Sequence, residues 1–169
     1  VETVATKNIL FVECDLPSAA SYQALLADLG YGVTATESSD QAEAFLRSGA
    51  PVDLVLVSLG LAECRQGLDA TRRILAHHPL PMVFLSDPNE PDQLDSVRDL
   101  DHYGVVSRNA SPTILESVLR TALRLSETHR RLQRSAERLG ALFEHLPTGV
   151  AVFEVVDDGA DFVYKTFNA

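Results

Sequence analysis

The chain has 169 residues, 46% of them apolar and 22% charged, with 24 acids against 14 bases and a net charge of −10. That size and apolar content suit one soluble domain, or one domain plus a fragment, and exclude a disordered chain. No apolar run approaches the roughly 18 residues of a membrane span, nothing reads as a secretory signal, and the acidity argues against general nucleic-acid binding. Ile9-Leu10-Phe11-Val12, running into Glu13-Cys14-Asp15, predicts a buried strand. Pro17 and Ser18 open a helix with apolar positions at Tyr22, Leu25, Leu26 and Leu29, and Gly30 ends it. Tyr31–Thr36 predicts a second strand, Gln41–Arg47 a short helix, and Asp53–Val57 a third strand. Leu68, Ile74 and Leu75 mark a third helix ending near His77-His78-Pro79. A fourth strand at Met82–Leu85, a helix at Gln93–Leu100 and a fifth strand at Tyr103–Ser107 follow, and Ser111-Pro112 starts a long last helix.

Five short apolar strands alternating with helices imply a parallel sheet covered on both faces, with right-handed crossovers. Functional residues of such sheets gather at the carboxyl ends of the strands. Those positions are Glu13-Cys14-Asp15, Ser58, Ser86-Asp87 and Arg108. No Gly-rich phosphate loop, paired catalytic carboxylate or Ser-His-Asp order is present.

The charge is uneven. Residues 1–110 hold 16 acids and 7 bases, residues 111–146 hold 4 acids and 6 bases, and residues 147–169 hold 4 acids and one Lys. An acidic globule, a connecting segment and the start of something else are expected. The sequence opens on Val1 and its one Met is Met82, so a piece of a longer protein is expected.

In the connecting segment the apolar seam reads Leu115, Val118, Ala122, Leu125, His129, Leu132, Ala136, Leu139, Phe143, Leu146, in alternating steps of three and four. This is the pattern of a left-handed coiled coil. All six Arg of the segment lie off the seam. A helix of about 45 Å has little globule to lie on, which favours a parallel two-chain coil over a helix folded back on its own domain. His129 either sets the register or is simply tolerated in the seam.

Residues 8–125 resemble the receiver domain of bacterial two-component response regulators. The resemblance rests on Ile9–Glu13, Leu29-Gly30-Tyr31, Asp53–Val57, Gly67-Leu68-Asp69-Ala70-Thr71-Arg72, Val83–Ser86 and Ser111-Pro112, in the right order at the right spacing. It implies a flavodoxin-like, doubly wound α/β fold with strand order 2-1-3-4-5, here extended by the coiled-coil helix. It also implies a five-position site. Two acids after the first strand hold Mg²⁺, and an Asp ending the third strand accepts a phosphoryl group from a histidine kinase. A Ser or Thr after the fourth strand and a Lys after the fifth bind the phosphoryl oxygens. Positive charge is needed there because negative charge builds up on the transferred group.

In this chain the first acid matches Glu13, the second falls on Cys14, the acceptor on Ser58, the hydroxyl on Ser86 and the Lys on Arg108. The aromatic switch residue of the family falls on Val105. A Ser hydroxyl is a poor nucleophile without an activating base, and a thiol is a poor Mg²⁺ ligand. The expectation is a degenerate, non-enzymatic receiver without a resident cofactor. Mg²⁺ at Glu13 and Asp15 is expected only if the pocket works as an unusual phosphoreceiver, which is the alternative. Arg108 is expected to bind Asp87 or Asp15. Partners would be a second copy, through Leu125, His129, Leu132, Ala136 and Leu139, and a histidine kinase or other signalling protein. Neither nucleic acid nor membrane is expected at this segment.

Leu142–Phe153 looks like the opening of a PAS sensor domain, with Tyr164 onward as its second strand and the start of a helix. The expected division is therefore 8–125 receiver, 126–146 signalling helix and 147–169 truncated PAS start. Parents of this layout often end in a histidine kinase or a cyclic-dinucleotide enzyme. Asp157-Asp158-Gly159 reads as a turn. His77 and His78 point about 100° apart on a helix, a poor chelate that suits a helix end better. Cys14 and Cys64 both fall on the carboxyl side of the sheet. They are two unrelated thiols in a reducing cytoplasm, or a redox or soft-metal pair.

Overall fold

The computed structural model describes residues 6–59, 71–72, 74–89, 95, 97–144, 151–156 and 161–167, with side chains up to residue 142. It divides into two units, Val1–Ser126 and Glu127–Ala169.

The first unit is built on five parallel strands: β1 (Asn8–Val12), β2 (Gly32–Thr36), β3 (Leu54–Ser58), β4 (Met82–Ser86) and β5 (Gly104–Ser107). Their order is β2-β1-β3-β4-β5, the doubly wound arrangement expected. Successive side chains of a strand point to opposite faces. Ile9, Phe11, Leu54, Leu56, Val83 and Leu85 therefore build one core layer. Leu10, Val12, Val55, Val57, Met82 and Phe84 build the other. Helices cover both faces, which is why these strands read as unbroken apolar runs.

Helix α1 (Leu16–Asp28) starts on Asp15, whose carboxylate accepts from Ser18 N at 3.0 Å. The sequence places the start one residue late, at Pro17. The helix ends on Gly30 at φ 88, a conformation that a side chain makes costly. Helix α2 (Ser39–Arg47) starts two residues earlier than predicted, because Ser38 caps it by accepting from Gln41 N at 3.3 Å. Asp53 lies just outside β3, and its carboxylate binds Lys7 Nζ at 3.0 Å and Asn8 N at 2.8 Å. Residues 71–72 and 74–77 are helical, as are 95 and 97. The rest of the two helices predicted around them lies outside the described residues.

Helix α3 (Pro112–Glu144) is the long last helix. Its first part spends the seam on the domain core: Leu115 and Ala122 are buried, Val118 is partly buried, and Leu119 beside the seam is buried too. Gly104 permits that contact, since a Cβ there would stand 3.1 Å from Val118 Cγ1.

In the second unit every described side chain of α3 from Glu127 to Leu142 is exposed. Beyond it, β6 (Ala151–Val156) and β7 (Asp161–Phe167) form an antiparallel pair with a register shift between Val152 and Phe153. The predicted turn at 157–159 lies between these strands but outside the described residues, as does the helix start at Asn168-Ala169.

Candidate functional site: a pocket filled by Arg108

The register of the sheet brings the carboxyl ends of β1, β3, β4 and β5 together. Val12 stands beside Val57, Ser58 beside Leu85, and Ser86 beside Ser107. Ser58 and Ser86 end β3 and β4, Glu13 and Arg108 directly follow β1 and β5, and Glu13, Ser58 and Ser86 are almost fully buried. Backbone bonds fix the loops: Glu13 N donates to Thr36 O at 3.0 Å and Arg108 N to Ser86 O at 2.9 Å.

The guanidinium of Arg108 occupies the middle of the pocket. Its Nη2 donates to Glu13 Oε2 at 2.5 Å and also to Ser58 Oγ. Nη1 lies 3.5 Å from Ser18 Oγ at the first turn of α1. Nε is buried and has no hydrogen-bond partner among the described residues. The other carboxylate oxygen of Glu13 accepts from Asp15 N at 3.1 Å. The Glu13 side chain is 0% exposed and that of Arg108 17%. A carboxylate so removed from water needs a cationic partner close by, and Arg108 provides it.

The expectation that Arg108 would bind Asp87 or Asp15 is corrected here. The Asp15 carboxylate is the cap of α1, and Asp87 Oδ1 accepts from Asn89 N at 2.8 Å and Asn89 Nδ2 at 2.9 Å. Nearby N–H groups, backbone for Asp15 and both backbone and side chain for Asp87, engage these two acids, and the carboxylate that Arg108 binds is that of Glu13. Val105, at the switch position, is partly buried against the layer that contains Phe84.

Two contributors were not found in the sequence, Ser18 and Tyr22. They are four residues apart on α1 and so share a face. Tyr22 Oη donates to the Arg108 carbonyl at 3.0 Å, and its ring lies 5.5 Å from that of Phe11. Burial raises the Tyr22 pKa above its ordinary value. The Arg108 charge acts against that shift and Glu13 adds to it. The helical period marks that face of α1, but nothing local says which strand end it meets.

Cys14 is disulfide-bonded, against the reading of two separate reduced thiols. The strand that leads into Cys14, β1, is a neighbour of β3 in the sheet. Cys64 lies outside the described residues.

No family model matches the sequence, and no curated protein matches it. Solved structures do. The N-terminal domain of a response regulator/sensory box/GGDEF 3-domain protein from Carboxydothermus hydrogenoformans is 30% identical, with a TM-score of 0.66, over 73% of this chain and 98% of that one. The chain belongs to the response regulator receiver family. A receiver domain protein from Clostridium thermocellum shares the fold at 16% identity, with a TM-score of 0.63, over 72% of this chain and 98% of that one. A fusion carrying the yeast Spc42 trimeric coiled coil is 29% identical, with a TM-score of 0.70, over 80% of this chain and 91% of that one.

A receiver of the usual kind would hold Mg²⁺ in this pocket. The residues present do not suit it. Mg²⁺ asks for several hard oxygen ligands in near-octahedral array. Here Glu13 is bound to Arg108, the Asp15 carboxylate caps a helix, the Cys14 sulfur is in a disulfide and position 58 carries a hydroxyl. A guanidinium already supplies the positive charge. Among the described residues no group of three or more His, Cys, Asp or Glu could hold a metal ion. No helix among them is long and apolar enough to cross a membrane.

Proposed function

We propose that this receiver is a pseudo-receiver, a non-catalytic signalling module that acts by protein contact and by pairing with a second copy. The observation that carries the reading is Arg108 inside the pocket, bound to Glu13 and Ser58 where a metal ion and a phosphoryl group would have to sit. Ser58 Oγ accepts from Arg108 Nη2, and a serine hydroxyl is a far weaker nucleophile than the carboxylate that the family uses at this position. The pocket therefore takes up no phosphoryl group and holds one conformation of the β5–α3 junction. The partner would be a histidine kinase or another signalling protein. The residues that follow would begin a PAS domain, an order that parallels the response regulator and sensory box in the name of the Carboxydothermus protein. The parent protein would carry its output, a kinase or cyclic-dinucleotide enzyme, elsewhere.

The test is incubation with Mg²⁺ and acetyl phosphate, or with a histidine kinase, followed by intact-mass and peptide analysis. The expected result is unmodified protein. A phosphoryl adduct on Ser58 or on a nearby Asp would overturn the reading in favour of an unusual phosphoreceiver.

Pairing would use α3. Leu125, Leu132, Leu139 and Leu142 are 46%, 63%, 65% and 66% exposed. Each leucine taken out of water stabilises by about 1.5–3 kcal/mol, and Leu125, His129, Leu132, Ala136 and Leu139 recur at heptad spacing. Changing Leu125→Asp and Leu132→Asp together should leave a monomer by light scattering. A variant that still pairs would remove the coiled-coil reading.

A second reading is favoured by the disulfide at Cys14. Cys14 and Cys64 would act as a redox switch beside the pocket. Two thiols would lose two protons and two electrons to a disulfide oxidant and form one S–S bond. Counting alkylated thiols by mass with and without reductant tests it. Two free thiols without reductant would refute it.

A further inference from the structure

We propose that the cleft between α1 and the start of α3 is a binding site for a small, neutral, two-ring molecule, which gives the domain an input without phosphoryl chemistry. The site goes beyond the pseudo-receiver and pairing readings and holds or fails without them. The cleft holds about 260 Å³. A cavity of roughly 150 Å³ already accepts benzene, and drug-sized ligands occupy roughly 300–1,000 Å³. This one lies between them, at the size of two fused rings.

The walls come from parts of the chain that are far apart in sequence. Leu85, near the carboxyl end of β4, and Leu115, in the first turn of α3, make the floor and are 0% and 3% exposed. Leu25 of α1 and Ala110, just before α3, are half-buried and pack against the same core layer. Ser21 and Pro112 are exposed and stand at the mouth. A ring seated on the leucines leaves water on both of its faces, which is the main source of affinity in such a site.

The polar groups decide the chemistry of the occupant. Ser107 lines the cleft, and its Oγ accepts from Asn109 N at 3.3 Å, which leaves its own proton for a ligand oxygen. Ser21 Oγ donates to the Pro17 carbonyl at 3.0 Å, and Tyr22 Oη donates to the Arg108 carbonyl at 3.0 Å. Arg108 also lines the cleft, but its guanidinium is paired with Glu13 and bound to Ser58. The described lining has no other charged side chain. A charged ligand would lose its hydration there without gaining a counter-ion. A neutral ring with one carbonyl oxygen buries its faces on leucine and takes the Ser107 proton.

An occupant in contact with α1, β4 and α3 at once fixes how the last helix leaves the sheet. The Tyr22–Arg108 bond joins α1 to the β5–α3 junction beside the cleft. A ligand that binds only this arrangement stabilises it by mass action.

The probe is coumarin, a neutral two-ring lactone, titrated into the isotope-labelled full chain and followed by heteronuclear NMR. The expected result is saturable shifts of the Tyr22, Ser107, Ala110 and Leu115 amides with a Kd below about 1 mM. Tm should rise by about 5 °C at about ten times the Kd. Ala110→Leu fills the cleft and should weaken binding by about 10-fold or more. Ser107→Ala should weaken coumarin by about 3–10-fold and leave chromene, which lacks the carbonyl, unchanged. Circular dichroism shows which variants keep the fold, and either one that does suffices for the comparison. No saturable shift up to the solubility of coumarin overturns the site. Shifts confined to Leu132 and Leu139 overturn it too, because the probe then binds the bare leucines of α3. So does a folded Ala110→Leu or Ser107→Ala variant that binds coumarin as tightly as the wild type.

Discussion

Replacing Arg108 by Ala would leave the Glu13 carboxylate inside the pocket with no cation. Glu13 is 0% exposed and cannot turn to water, and the lost partner is 83% buried by the same measure. Removing one member of a buried ion pair costs about 3–5 kcal/mol, because the charge left behind is uncompensated. Ser58 Oγ and Ser18 Oγ lose a donor in the same step. For a domain of this size the loss lowers Tm by roughly 10–20 °C. Urea unfolding followed by far-ultraviolet circular dichroism measures it. The decisive comparison is a cycle of Arg108→Ala, Glu13→Ala and the double variant. With both groups removed no charge is stranded. The double variant should therefore be more stable than the sum of the single losses predicts, by about 2–3 kcal/mol. A loss below about 1 kcal/mol for Arg108→Ala, or additivity within about 0.5 kcal/mol, would refute the arginine-filled pocket.

Asp15→Ala removes the cap of α1 and should cost about 1 kcal/mol in urea unfolding. Leu119→Ala empties a fully buried position between α3 and the sheet and should cost about 2–5 kcal/mol by the same assay. The Tyr22 hydroxyl, with its pKa raised by burial, should ionise after an exposed tyrosine does. The sign follows from the fold favouring the protonated phenol: its contribution is complete below about pH 10 and is lost as the pH passes the raised value. Alkaline titration of the phenolate absorbance band, compared with Tyr22→Phe, checks this. A wild type and a Tyr22→Phe variant that lose stability identically above pH 10 would contradict it.

Much of the architecture is written locally. The three central strands, β1, β3 and β4, are short apolar runs because both of their faces are buried, and helical segments between them leave few alternatives to a parallel sheet. The departures at the boundaries are equally local. Ser38 and Asp15 cap their helices through one side-chain oxygen each, and that moves the observed starts forward by one or two residues. The heptad seam is legible in the same way, but its division is not. Leu115 and Ala122 pack into the domain while Leu125 stays in water, and only the position of α3 against the sheet separates them.

The pocket divides differently. The five residues at the strand ends, and their departure from the family pattern at 14, 58 and 108, follow from the order of residues alone. What Arg108 does with its charge does not. Asp15, Asp87 and Glu13 are equivalent carboxylates on paper. Folding commits the first to the amino terminus of a helix and the second to a turn, and it buries the third where water cannot reach it. The ion pair forms at the most deeply desolvated of the three carboxylates. That is a property of the assembled sheet, and it turns an incomplete phosphorylation site into a filled one.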